Sequence, residues 1–336
     1  MKLQYGAVRQ RGCGQAEPER NGGTLSIAEA GEFGLITRIV ARLETGAASL
    51  LGPGDDAAVV AAPDRRVVAR TDVLVEGRHF RRDWSSAADV GHRAAAANLA
   101  DIAAMGATPT ALLVALCVPT DLPVEWAEEL AGGLSTEAGR VGAAVVGGDM
   151  SSSPTLTIAV TALGDLEGRA PVLRSGAQPG DVVALAGRTG HAAAGYTVLS
   201  RGFRTPKLLV EAYRRPDVEY AAGPTAARLG ATSMIDISDG LLQDLGHVAA
   251  ASVVGIDIDR AAFEVPDQMR DAASALGVDP YVWLLAGGDD HALAATFPPG
   301  TPLPPGWRAV GSVHEGTGVT VDRRPWQGGT GWDHFR

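Results

Sequence analysis

The sequence predicts an α+β fold built in two halves, and three observations carry that expectation. Helical and strand periodicities mix in both halves without the strict strand–helix–strand rhythm of a doubly wound sheet. A polar stretch from Gly164 to Ser175 divides the two. The 336 residues are 46% hydrophobic, enough for two cores, but only 5% aromatic, so Ala, Val, Leu and Ile must fill them.

Residues 1–26 are polar and Gly-rich and read as a flexible tail. EFGLITRIVARL then sets Leu35, Ile36, Ile39, Val40 and Leu43 on one helical face. RRVVARTDVLVEG reads as a strand, and ADVGHRAAAANLADIAAMGA as a long helix stopped at Gly106. TALLVALCV is a buried strand, followed by the helix VEWAEELAGGLSTEAGRVG with Trp126, Leu130 and Leu134 in register. AAVVGGD and LTIAVTALG complete an N-terminal domain over 27–165. In a C-terminal domain over 166–336, DVVALAG is a strand and 192–200 and 224–229 are helices. SMIDISDGLLQDL is a strand running into a helix, and VGIDID, ALAATF and WRAVGSV are further strands.

Charge and composition narrow the function. A net charge of −10 argues against a nucleic-acid footprint, which needs a basic face. No apolar run is long enough to span a bilayer, and the N-terminal stretch lacks the apolar core of a secretory signal, so the expected location is cytoplasmic. Two cysteines, Cys13 and Cys117, are too few for a disulfide framework or a zinc site.

What stands out is a series of aspartates beside glycines where apolar segments end: GPGDDAAVV, VVGGDMSSS, IDISDG and LAGGDDHAL. Any one of them suits a turn or a helix cap. Asp72 inside a strand and Asp101 inside an apolar helix have no such role, and Asn98, three residues before Asp101, is expected on its face. Carboxylates are hard ligands that favour Mg²⁺ over zinc, and neighbouring glycines let backbone approach a ligand. No G-x-x-x-x-G-K-[ST] loop occurs. Together these features suggest magnesium-bridged polyphosphate, most simply Mg–ATP.

From about Gly31 onward the chain resembles the thiamine-monophosphate kinases, within the superfamily of aminoimidazole ribonucleotide synthetase and selenophosphate synthetase. The resemblance lies in the order of GEFGLI, GDDAAVV, TDVLVEGRHF, NLADIAAMGA, GGDMS, RSGAQPGD, IDISDGLLQDLGHVAAAS, LAGGDDHAL and GWDHF. It implies the two-domain fold of that superfamily, with N-terminal domains pairing into a barrel in a homodimer. It implies ATP-dependent phosphorylation of thiamine monophosphate with several Mg²⁺ ions. Carried onto this chain, it points to Asp56, Thr71, Asp72, Asp101, Asp149, Asp236 and Asp239 as metal ligands, with Asp101, Asp236 and Asp239 central to catalysis. Gly148, Asp149, Arg174 and Ser238 resemble ATP contacts, and His79, Asp289 and Trp332 the thiamine-phosphate site. His79 also suits a strand-end histidine satisfied by backbone, and Trp332 suits plain packing.

The chain departs from the family pattern at three places. Arg70 occupies a metal position that usually holds Ser, where a cation would compete with one metal ion or replace it. Asp289 replaces a Glu, and His291 with Ala292 replaces Tyr and Glu. Two alternatives follow from these departures: a related ATP-dependent enzyme with a different acceptor, or a non-catalytic nucleotide-binding regulator.

Overall fold

The computed structural model describes residues 25–53 and 57–332. Most of the expected tail, together with Asp55 and Asp56, lies outside the described residues. Ser26 opens α1 (Ile27–Val40) with a capping box: its side chain accepts from Glu29 N–H while the Glu29 carboxylate accepts from Ser26 N–H. Only Leu35 of the expected apolar face is fully buried, and Gly31 at φ 68° breaks the helix early.

A short antiparallel pair, β1 (Ser49–Leu51) and β2 (Val59–Val60), precedes the first large sheet. That sheet is formed by β3 (Val68–Val75), β4 (Thr108–Val118), β5 (Ala144–Ser152) and β6 (Thr157–Asp165), in the order β3-β6-β4-β5. β6 is antiparallel to both its neighbours, and β4 and β5 are parallel. Two helices, α2 (Ala87–Ala104) and α3 (Val124–Gly139), lie against one another beside it. Their backbones touch. A Cβ on Gly91 would stand 2.1 Å from the Leu130 carbonyl oxygen, and one on Gly133 2.2 Å from that of Ala88. That close approach explains why this core is built from alanine and glycine rather than aromatics.

The second sheet contains β7 (Val182–Ala186), β8 (Ser233–Ile237), β9 (Gly255–Ile258), β10 (Ala292–Phe297), β11 (Trp307–His314) and β12 (Gly318–Val321), in the order β12-β9-β11-β7-β10-β8. Only β12 and β9 pair in parallel. Six helices accompany it: α4 (His191–Ser200), α5 (Lys207–Arg214), α6 (Ala222–Arg228), α7 (Leu241–Ser252), α8 (Asp267–Leu276) and α9 (Pro280–Ala286).

Strand alternation sends the two faces of this sheet into different cores. Val183, Leu185, Ile235, Ile237, Ala292 and Ala294 pack with α4, α7 and α9. Ala184, Ala186, Met234, Leu293, Ala295 and Phe297 join the core that holds α2 and the first sheet. Helix α2 therefore lies between the two sheets. Asp236 is two residues from Met234 on β8, so alternation turns it toward α2 as well. The α+β expectation is met.

Candidate functional site

A cleft of about 690 Å³ opens where β3, the middle of α2, the β8–α7 turn and the α9–β10 loop converge. Its lining includes Arg70, Asp72, His79, Arg93, Asp101, Ser238, Asp239, Asp289, His291 and Trp332, with Tyr196 and Trp283 on its aromatic side. A second cavity of about 610 Å³, beside Arg169 and Arg228, holds none of the expected site residues.

Local geometry decides which expected residues meet there. On β3, alternation directs Arg70 and Asp72 into the cleft and Thr71 away from it. On the opposite face the Thr71 hydroxyl donates to the Val160 carbonyl at 3.1 Å and accepts from Thr161 at 3.1 Å. On β5, Met150 turns toward the core, so Asp149 projects from that same opposite face, where one carboxylate oxygen accepts from Met150 N–H at 2.9 Å. Gly148 is exposed on this edge strand, and Arg174 is exposed in the segment joining the sheets, its carbonyl accepting from the Ser252 hydroxyl at 3.1 Å. Thr71, Gly148, Asp149 and Arg174 thus lie outside the cleft lining, and Asp56 lies outside the described residues. Asn98, expected beside Asp101, is fully buried and donates to the Ala94 carbonyl at 2.9 Å. The three-residue offset rotates it off the cleft face.

The acidic end is built on α2 and β8. Asp101 receives Arg70 Nε at 2.8 Å, and burial, reinforced by the charge of Asp236, pushes the Asp101 carboxyl up to about 6, against the pull of Arg70. Asp236 is buried beneath the cleft, with His291 Nδ1 3.2 Å from its Oδ2. Burial works against a charged His291, but the Asp236 hydrogen bond and charge outweigh it and raise the imidazole above its ordinary value.

The strand-to-helix turn is closed by an acid that sequence reasoning did not single out. Asp244 is buried and accepts from the backbone N–H groups of Asp239 and Gly240, each at 3.0 Å. Burial, then the charge of Asp236, lifts its carboxyl to about 7. Asp244 does the capping, and Asp239 lines the cleft. The 287–291 loop is tied to this turn, with Asp289 N–H donating to the Ser238 carbonyl at 2.8 Å and His291 N–H to that of Ile237 at 3.1 Å. A Cβ on Gly288 would stand 2.2 Å from the Ser238 carbonyl oxygen, so only glycine fits. Asp289 at φ 70° and His291 at φ 52° occupy left-handed backbone, which Asp and His tolerate better than most residues.

At the other end, Asp289 Oδ2 pairs at 2.7 Å with Arg93, a guanidinium 8% exposed that also stacks 4.7 Å from the Tyr213 ring. Arg93 was missed in the sequence, although Arg93, Ala97 and Asp101 follow one helical face at i, i+4 and i+8. His79 Nδ1 accepts from Val75 N–H at 2.9 Å, which puts the ring proton on Nε2. The backbone contact expected of His79 is present, and the residue also lines the cleft. Trp332 is 53% exposed and is held over the turn by its N–H to the Asp239 carbonyl at 3.0 Å and by Gln243 Nε2 to its own carbonyl at 2.7 Å.

Among the described residues, no three His, Cys, Asp or Glu side chains converge tightly enough to cage a metal ion. The donors present are hard carboxylates that fit Mg²⁺ in its usual protein mode, which takes one or two carboxylates and completes its shell with water and substrate phosphates. Arg70 has no lone pair to offer a metal and stands in the cleft as a cation instead.

Residues 54–166 match the family model of the AIR synthase related protein N-terminal domain. The thiamine-monophosphate kinase of Mycobacterium tuberculosis H37Rv is 48% identical over 92% of this chain and 93% of its own. That of Corynebacterium glutamicum is 40% identical over 92% and 95%. The solved complex of AaThiL with AMPPCP and TMP superposes with a TM-score of 0.75 at 32% identity, over 93% of this chain and 99% of that one. With its cleft residues in place and identity of this extent along nearly the whole length, the chain belongs to the thiamine-monophosphate kinase family.

Proposed function

We propose that this chain transfers the γ-phosphoryl group of ATP to thiamine monophosphate, giving thiamine diphosphate and ADP, with Mg²⁺ assisting an in-line displacement. The observation that carries this reading is the likeness, over 93% of the chain, to a structure holding AMPPCP and TMP. An oxygen of the acceptor phosphate forms the new bond to Pγ as the β–γ bridging bond breaks. The second pKa of a phosphate monoester is about 6, so the acceptor is largely dianionic at neutral pH and needs no general base. The obstacle is repulsion between two polyanions.

Bound magnesium would supply positive charge at the phosphates. Asp72, Asp101, Asp236 and Asp239 are the residues to hold it on the cleft side, with Asp56, Thr71 and Asp149 as further ligands. Gly148, Asp149, Arg174 and Ser238 serve the nucleotide. His79, Asp289 and Trp332 serve the acceptor, with Arg93 holding the Asp289 carboxylate in position. Tyr196, Trp283 and Trp332 line the same cleft, and aromatic rings suit a flat, cationic thiazolium.

The same reading assigns 27–165 to a nucleotide-binding and dimerising domain and 166–336 to a second domain, in a cytoplasmic homodimer. The open face of the first sheet supports the dimer, since Val73 is 41% and Leu113 37% exposed on it.

The test is an end-point assay with ATP, Mg²⁺ and thiamine monophosphate, reading thiamine diphosphate by fluorescence after oxidation. Product that requires enzyme, nucleotide and metal is the expected result. Nucleotide binding without product would point to a different acceptor.

A further inference from the structure

We infer that Arg70 is a built-in cation of the acidic end of the cleft and takes the place of one divalent ion there. The inference rests on the Mg–ATP reading above. Arg70 and Asp72 are two residues apart on β3, so alternation aims both side chains into the same space. Asp101 projects into that space from the last turn of α2, and Asp236 approaches from below on β8. The Arg70 guanidinium donates through Nε to Asp101 Oδ2 at 2.8 Å, and the charges of Asp72 and Asp236 also bear on it.

A guanidinium cannot ligate a metal, so an ion bound at that oxygen of Asp101 would have to displace it. An ion bound close alongside would be repelled by the fixed positive charge. Arg70 is also permanently charged and stays attached to the chain, whereas a metal ion exchanges with solvent. The Asp101 carboxylate is therefore neutralised before any nucleotide arrives. Asp101 Oδ1 and the other cleft carboxylates serve the ions that enter with the phosphates, in keeping with the lack of a preformed three-ligand cage among the described residues.

The test is an electron paramagnetic resonance titration of Mn²⁺ into the full chain with a non-hydrolysable ATP analogue, counting bound ions per chain. Arg70→Ser and Arg70→Gln are each expected to bind one more Mn²⁺ than the unaltered protein. Arg70→Lys, which keeps the charge, is expected to keep the original count. Equal counts in the unaltered protein and both neutral variants overturn the role of Arg70 alone. An extra ion in Arg70→Lys overturns the charge argument. No Mn²⁺ bound by any of them overturns the metal reading, and the Arg70 inference falls with it.

Discussion

The two sheets treat their faces differently. Strands of the second sheet such as β8 and β10 are buried along their whole length. β6 of the first alternates buried and half-buried residues from end to end, because helices cover one face only. A strand buried on both sides admits a carboxylate only where something satisfies it, and Asp236 is satisfied by His291 from β10's leading edge and by facing the acidic cleft. A strand with one open face can carry polar and apolar groups there at little cost, as β3 carries Thr71 and Val73. The covered sheet contributes Asp236 to the cleft, and the open sheet contributes Arg70 and Asp72 there while its other face carries the surface proposed for a second copy.

The contrast can be broken most forcefully at Asp236. Asp236→Asn should lower turnover on the order of a hundredfold while circular dichroism and melting temperature stay close to the original, because the amide keeps the shape and loses the charge. Turnover within a few-fold of the original would remove Asp236 from the machinery. On the open face, if the proposed dimer forms there, Leu113→Glu should shift it to monomer in analytical ultracentrifugation, since a charge there would be desolvated by a second copy. An unchanged sedimentation coefficient would move the interface elsewhere.

The smallest effect concerns pH. Asp290 is buried at the start of α4, accepts from Ala192 N–H at 3.1 Å, and has its carboxyl pushed up to about 7, chiefly by burial. Between the ordinary carboxylate value and 7, the folded chain holds a proton that the unfolded chain has released, so stability falls as pH rises through that window. Melting temperatures of Asp290→Asn should decline less from pH 4 to pH 7 than those of the original protein. Parallel curves would show that Asp290 ionises freely in the fold.

Much of the site was legible because the informative residues break a pattern. Asp101 interrupts an apolar helix and Asp236 an apolar strand, and both lie at the cleft. Alternation within β3 could also have placed Thr71 on the face opposite Asp72, since neighbours on a strand face opposite ways. Arg93 and Asp244 were harder to find. Each reads as an ordinary charged residue of an amphipathic helix, and its role depends on a partner the local sequence does not reveal: Asp289 for Arg93, the backbone of a turn for Asp244. The strand and helix segments expected around the core all appear. β1, β2, α5, α8, α9 and β12 were not anticipated: the strands are four residues or fewer, and the three helices open at Pro206, Pro266 and Pro280, which read as turn signals in the sequence.

Helix α2 carries Arg93 and Asp101 on one face, eight residues apart, which at the α-helical rise of 1.5 Å per residue is about 12 Å. Arg93 grips the loop at one end of the cleft and Asp101 marks the acidic end. Because α2 is packed between two sheets, that separation cannot stretch or shorten. The helix is a ruler that fixes the distance between the two ends of the cleft.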